Sequence, residues 1–106
     1  MRSFEKKALK KIADEIHFRF GEEAKLYAFG SRVRGDNTGG SDFDLLVVIK
    51  NRNPDKEEQI IDIIVDIEMA EGCSFTPVIK DSRSFEQEKQ YNTPFYQNIM
   101  IEGIEL

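Results

Sequence analysis

The segment that decides the fold reads Phe29-Gly30-Ser31-Arg32-Val33-Arg34-Gly35-Asp36-Asn37-Thr38-Gly39-Gly40-Ser41-Asp42-Phe43-Asp44-Leu45. It begins at the end of residues 25–29, a short apolar and aromatic run that is followed by Gly30, which is typical of a strand that stops in a tight turn. Residues 36–41 are a dense cluster of turn-forming residues and predict a loop. After them, residues 43–49 are aliphatic and β-branched, the composition of a strand buried on both faces. The segment therefore links two strands through a turn, a short helix and a loop.

The turn at Gly30 and Ser31 has the chemistry of a phosphate site. A glycine lets the backbone approach a ligand closely, and a helix that starts at Ser31 would present free N–H groups to phosphate oxygens. The Ser31 hydroxyl could donate a further hydrogen bond or could cap the helix, and the sequence does not separate these roles. Arg32 and Arg34 could each bind phosphate through the planar guanidinium group, or could be ordinary exposed charges.

Two acids, Asp42 and Asp44, open the second of these strands. Residues i and i+2 of a strand point to the same face, so both carboxylates converge on one spot. Neighbouring carboxylates repel each other unless a cation joins them, and Mg²⁺ prefers hard oxygen ligands. An isolated Asp-x-Asp would more often face solvent, but a Gly-Ser turn separated from Asp42 by ten residues favours metal binding. We therefore predict that Asp42 and Asp44 bind Mg²⁺.

Regular elements are predicted on both sides of this segment. Apolar residues recur at helical spacing over residues 4–16, and Gly21 ends that first helix. A second apolar stripe over residues 60–67 predicts a helix that follows the break at residues 50–54 and ends near Gly72. Residues 74–80 then predict a third strand, in which Pro77 favours an edge position or a bulge.

The C-terminal part of the chain predicts two more helices. Residues 82–90 form a short polar helix, and the last helix has Thr93 as N-cap, Pro94 at its first position and Gly103 as its stop. Ile99 and Met100 are its expected apolar contacts. The predicted order is therefore helix, strand, short helix, strand, helix, strand, helix, helix.

Composition limits the classes of function. A chain of 106 residues predicts one domain over residues 1–106, and 40% apolar residues are enough for a hydrophobic core. The net charge of −5 argues against direct binding to the nucleic-acid backbone. Without a long apolar segment or a secretory signal, the sequence predicts a cytoplasmic protein with no membrane association. Since Cys73 and His17 are the only residues of their types, a Cys/His zinc cluster is excluded and carboxylates must hold any metal.

This combination resembles the nucleotidyltransferases of the DNA polymerase β superfamily, and in particular the small MNT-type proteins. The hallmark of that family is Gly-Ser, ten residues and then Asp-x-Asp, a spacing that Gly30-Ser31 and Asp42/Asp44 match without a gap. The flanking pairs Arg34-Gly35 and Ser41-Asp42 are similar too, as is the stretch from Thr93 to Gly103. The resemblance therefore extends over nearly the whole chain.

The resemblance implies an α+β, polymerase β palm-like fold in which a small mixed sheet is flanked by helices. It implies Mg²⁺-dependent transfer of a nucleoside monophosphate from a triphosphate, ATP or another, with release of pyrophosphate. Asp42 and Asp44 would be the catalytic and metal-binding residues. The nucleotide-binding residues would be Gly30, Ser31, Arg32, Arg34 and Ser41. MNT-type proteins are commonly antitoxins that adenylylate a tyrosine of a HEPN-fold RNase toxin, so such a toxin is the expected partner, while a homo-oligomer is left open.

One feature of that family is missing from this sequence. Active members usually carry a third carboxylate on the strand after the long helix, as general base and as ligand for a second metal. Residues 74–79 contain no acid; Asp81 lies at the far end of that strand, and Asp66 and Glu68 lie on the preceding helix. The alternative is therefore a catalytically degenerate antitoxin that binds nucleotide and neutralises its toxin by complex formation alone.

Overall fold

The computed structural model describes residues 3–30 and 43–106. Its elements are α1 (Ser3–Phe20), a 3₁₀ turn (Gly21–Glu23), β1 (Ala24–Phe29), β2 (Phe43–Ile49), α2 (Pro54–Glu71), β3 (Phe75–Asp81), α3 (Ser82–Tyr91), α4 (Pro94–Glu102) and β4 (Ile104–Glu105). The predicted order is confirmed within these ranges, with boundaries that differ by one or two residues. The short helix predicted from Ser31 lies outside the described residues.

The four strands form one mixed sheet in the order β3-β2-β1-β4. Strand β1 runs antiparallel to β2 and to β4, whereas β2 and β3 are parallel and are connected through α2. Because β3 is an outer strand, the edge position predicted from Pro77 is confirmed. The mixed sheet with flanking helices also confirms the α+β fold class.

Strand β4 was not predicted. It has only two residues, which pair as Tyr27↔Glu105 and Ala28↔Ile104, and the Leu106 N–H donates to the Leu26 carbonyl at 2.9 Å. Two residues are too few for a periodic pattern, so their extended conformation follows from pairing with β1. Gly103 ends α4 as predicted, since its N–H donates to the Ile99 carbonyl.

Helices cover both faces of the sheet. Helices α1 and α2 pack on one face, where the buried side chains come from alternate strand residues and from the predicted helix stripes; these include Ile12, Ile16, Leu26, Leu45, Ile49, Ile60 and Ile64. Burying one such side chain contributes about 1.5–3 kcal/mol. On the other face a smaller cluster contains Tyr27, Leu46, Val48 and Ile99. The prediction that Met100 makes an apolar contact is wrong in part, because this side chain is 45% exposed.

Hydrogen bonds at helix ends explain where the C-terminal helices begin. Thr93 caps α4 as predicted, with its Oγ1 accepting from the Tyr96 N–H at 3.2 Å, and Pro94 follows at the first helical position. Asp81 caps α3 in the same way by accepting from the Arg83 N–H. None of the helices in residues 3–30 and 43–106 is both long and apolar enough to cross a membrane.

Candidate functional site

The candidate site lies where β1 ends and β2 begins. Gly30 directly follows β1 with φ +99°, a conformation that residues with a side chain rarely adopt. In the antiparallel register Phe29 is opposite Asp44, so the turn and the acid share one end of the sheet. A Cβ placed on Gly30 would lie 2.2 Å from Asp44 Oδ2. Glycine is therefore required here, because the Asp44 carboxylate lies directly against the backbone of the turn.

Asp44 is half-buried and alternates with Leu46 and Val48, so it lies on the sheet face that α3 and α4 cover. The other predicted site residues, Ser31, Arg32, Arg34, Ser41 and Asp42, lie outside the described residues, and their positions stay predictions. Among the described His, Cys, Asp and Glu side chains, no group of three is close enough together to bind a metal. Because Asp42 is not among the described residues, this finding does not bear on a metal site formed by Asp42 and Asp44.

The residue beside Asp44 on the next strand is Thr76. In the parallel register Thr76 is opposite Asp44, so both side chains project from the same face, and Thr76 is exposed. Thr76 is therefore the residue of β3 that the register places beside Asp44. A threonine hydroxyl can donate or accept a hydrogen bond, but it does not ionise near neutral pH and so cannot replace a carboxylate base.

None of the three acids near β3 in sequence replaces the missing carboxylate. Asp81 is five residues from Thr76 along β3, roughly 17 Å away. Its carboxylate accepts from the backbone N–H groups of Arg52 and Arg83, both at 2.9 Å, and these bonds hold the pKa of Asp81 below its usual value. Glu68 accepts from the Phe75 N–H, and Asp66 is exposed on α2, which packs on the other face.

An aromatic pair beside Asp44 was not foreseen. The rings of Phe29 and Phe95 meet edge to face, with 5.8 Å between their centroids. Lys80 Nζ lies 4.8 Å from the centre of the Phe95 ring and 2.7 Å from Glu88 Oε2. Since Glu88 already pairs with Lys80, this ammonium group does not supply positive charge to the Asp44 end of the sheet. The sequence carries no signal for a contact between residues so far apart.

Comparisons with known proteins agree with this arrangement. The family described as the nucleotidyltransferase domain matches residues 9–103. A relative from Methanocaldococcus jannaschii, named "putative protein adenylyltransferase", is 28% identical over 100 residues, which cover 93% of this chain and 94% of the relative. The crystal structure of a "putative nucleotidyltransferase" from Sulfolobus solfataricus superposes with a TM-score of 0.54 and 27% identity, covering 80% of this chain and 70% of that chain. The chain belongs to the nucleotidyltransferase domain family.

Proposed function

We propose that this nucleotidyltransferase carries AMP from ATP to a hydroxyl group of another protein in a Mg²⁺-dependent reaction. The observation that supports it most directly is the contact between Gly30 and the Asp44 carboxylate, the turn that we predict to bind phosphate and an acid that we predict to bind metal. The printed name of the Methanocaldococcus jannaschii relative supports protein as the acceptor. The net charge of −5 also favours a protein acceptor over a nucleic acid.

The residues at this end of the sheet fit Mg²⁺. Carboxylate oxygen is the donor that this ion prefers, and Asp44 together with Asp42 would hold it. Bound Mg²⁺ would neutralise negative charge on the triphosphate during transfer. The backbone at Gly30 and Ser31 would bind the triphosphate oxygens, with Arg32, Arg34 and Ser41 as further contacts. Transfer would join the acceptor oxygen to the α-phosphorus and break the bond to pyrophosphate, which leaves; the proton of the acceptor hydroxyl would pass to water.

The proposed acceptor is a tyrosine of a HEPN-fold RNase toxin, and this chain would be the antitoxin of the pair in the cytoplasm. This part rests on the resemblance of the Gly30–Asp44 segment and of the Thr93–Gly103 segment to MNT-type proteins. Adding a phosphate-linked nucleotide to a tyrosine places bulk and negative charge on the toxin surface. Such a change would block the toxin at the modified site.

A second candidate is supported by Thr76. Because Thr76 and not a carboxylate lies opposite Asp44 on β3, the described residues offer no third acid at this end of the sheet. A degenerate antitoxin would bind nucleotide and neutralise the toxin by forming a stable complex, without transferring AMP. The two candidate functions predict different covalent masses for the partner protein, because only transfer adds AMP to it.

The test is incubation with Mg²⁺ and α-labelled ATP, alone and with the product of the adjacent gene, followed by intact-mass measurement of both proteins. A gain of one AMP on the partner is the expected result. Asp44→Asn should abolish this gain, whereas Asp62→Asn, which removes an exposed acid of α2, should leave it unchanged. A stable complex that binds nucleotide but shows no mass gain would refute transfer and support the degenerate antitoxin.

A further inference from the structure

A cavity lies on the sheet face that α3 and α4 cover, at the end remote from Gly30. It occupies about 340 Å³ between the sheet and helices α3 and α4, and its floor includes Tyr27 and Val48. Val48 is four residues from Asp44 along β2, roughly 13 Å away. The Phe29–Phe95 ring pair packs against the cluster that contains Tyr27 and Leu46, between the two places. The cavity is therefore separate from the candidate nucleotidyltransferase site.

The Tyr27 side chain brings a hydroxyl group to this cavity. Tyr27 is 8% exposed and lines the cavity, and no described residue forms a hydrogen bond with its hydroxyl. A tyrosine hydroxyl without a protein partner is available to donate a hydrogen bond to a bound molecule. Burial, the Glu105 carboxylate and the neighbouring Tyr96 raise the pKa of Tyr27 above its usual value. The hydroxyl is therefore protonated near neutral pH and can donate to a molecule bound in the cavity.

Aromatic rings form one side of the cavity. The Phe85 ring lies between Tyr27 and Tyr96, with centroid distances of 6.0 Å and 5.5 Å. The three rings are tilted to one another by 37° and 52°, and together they form an aromatic surface at one side of the cavity. A planar aromatic ring can stack on such a surface, as nucleobases do on aromatic side chains.

Lysines from three elements surround the opening. Lys25 follows the start of β1, Lys50 follows β2, and Lys89 lies on α3; all three line the cavity and none is ion-paired with another described residue. Three carboxylates line it as well. Glu23 lies 3.7 Å from Lys56 Nζ, whereas Glu22 and Glu86 have no such partner among residues 3–30 and 43–106. The lining groups outside ion pairs therefore carry three positive charges and two negative ones.

We infer that this cavity binds a planar aromatic ring that carries a phosphate, of the size of a nucleoside monophosphate. The ring stacks on the Tyr27, Phe85 and Tyr96 surface, the Tyr27 hydroxyl donates to a phosphate oxygen, and the lysines neutralise the phosphate. The volume is near the lower end of the range for small-molecule sites, about 300–1,000 Å³, which suits a mononucleotide. Neither Asp42 nor Asp44 takes part, so this binding needs no Mg²⁺ and does not depend on the proposed function.

The experiment is a titration of the full chain with AMP in excess EDTA, followed by NMR chemical shifts and calorimetry. We expect one site with shift changes at Tyr27, Phe85 and Lys89. Tyr27→Phe keeps the ring, and we expect it to bind AMP about tenfold more weakly, since a hydrogen bond to a charged group contributes about this much. Tyr91→Phe removes an exposed tyrosine hydroxyl outside the cavity and should bind AMP as the wild type does.

A second pair of variants tests the charge. Lys25→Gln should weaken AMP binding, whereas Lys10→Gln, an exposed lysine of α1, should leave it unchanged. Thermal unfolding of each variant shows whether it is folded. The inference is overturned if AMP does not bind in EDTA at millimolar concentration, or if Tyr27→Phe and Lys25→Gln bind it normally. It is also overturned if inorganic phosphate alone, adenosine alone or the zwitterion tryptophan binds as tightly as AMP.

Discussion

Replacing Gly30 with alanine tests whether the contact between the turn and Asp44 matters for the chemistry. The new Cβ would lie 2.2 Å from Asp44 Oδ2, where real contacts of this kind are no closer than 3.0 Å. The carboxylate must therefore move by most of an ångström or change rotamer. In addition, φ +99° is unfavourable for alanine. Backbone strain of this kind costs about 1–3 kcal/mol.

Gly21→Ala is the matched control. Gly21 also has a positive φ, +60°, but a Cβ there would have no heavy atom within 4 Å. Only backbone strain is added, so we expect a loss of about 1 kcal/mol in the free energy of unfolding. For Gly30→Ala we expect about 2–3 kcal/mol, because strain and displacement of Asp44 act together. A loss of 1 kcal/mol lowers the Tm of a domain this size by about 4–8 °C.

The assay combines urea unfolding with Mg²⁺-dependent transfer of labelled AMP below the unfolding transition. Since a catalytic group displaced by about 1 Å can cost about 10²-fold in rate, Gly30→Ala should lose transfer by that factor, and Gly21→Ala should keep it. If folded Gly30→Ala transferred AMP at the wild-type rate, the position of Asp44 against this glycine would have no role in catalysis. The proposal that rests on this contact would then be wrong.

Three further predictions concern single positions. Thr76→Asp should speed AMP transfer at least tenfold relative to Thr76→Asn, because a general base typically contributes about 10²–10⁴-fold to the rate. Equal rates for the two variants in the labelled-AMP assay would show that a base does not act from position 76. Thr93→Ala should lower the free energy of unfolding in urea by about 1 kcal/mol through loss of the α4 cap, and Thr93→Ser should restore it. Asp81→Asn should be less stable than wild type at pH 7. Because the folded pKa of this carboxyl lies below its ordinary 3.8, the stabilisation is present above that pH and is lost as the pH falls through the folded pKa. Thermal melts from pH 7 to pH 2 should therefore converge for Asp81→Asn and wild type at the acid end, and a constant difference would contradict this explanation.

The elements of this chain could be predicted because their determinants are local. Helix α2 is specified by an apolar stripe, by Pro54 at its first turn and by Gly72 with φ +72° at its end. Strand β2 matches its predicted bounds, Phe43–Ile49, because its composition is aliphatic and the sequence before it is rich in polar residues and glycine. Gly30 could be assigned to a close backbone approach because only glycine accepts such a turn without strain.

The parts that could not be predicted depend on residues distant in sequence. Strand β4 has two residues, and pairing with β1 makes it a strand. The contact between Phe29 and Phe95, and the aromatic cavity at Tyr27, arise because α3 and α4 fold back over one face of the sheet.

By itself, then, the sequence determined which residues form the Gly-Ser and Asp-x-Asp motifs, which helix faces are apolar and which residues cap the helices. Each of these features depends on residues that are close together in the chain. Only the tertiary structure decided that Thr76 lies opposite Asp44 and that the Asp81 carboxylate caps α3. The physical reason is that these positions depend on the register in which β2 pairs with β3. A shift of one residue between β2 and β3 would turn Thr76 to the other face of the sheet, and such pairing is set by the whole buried core rather than by any one segment.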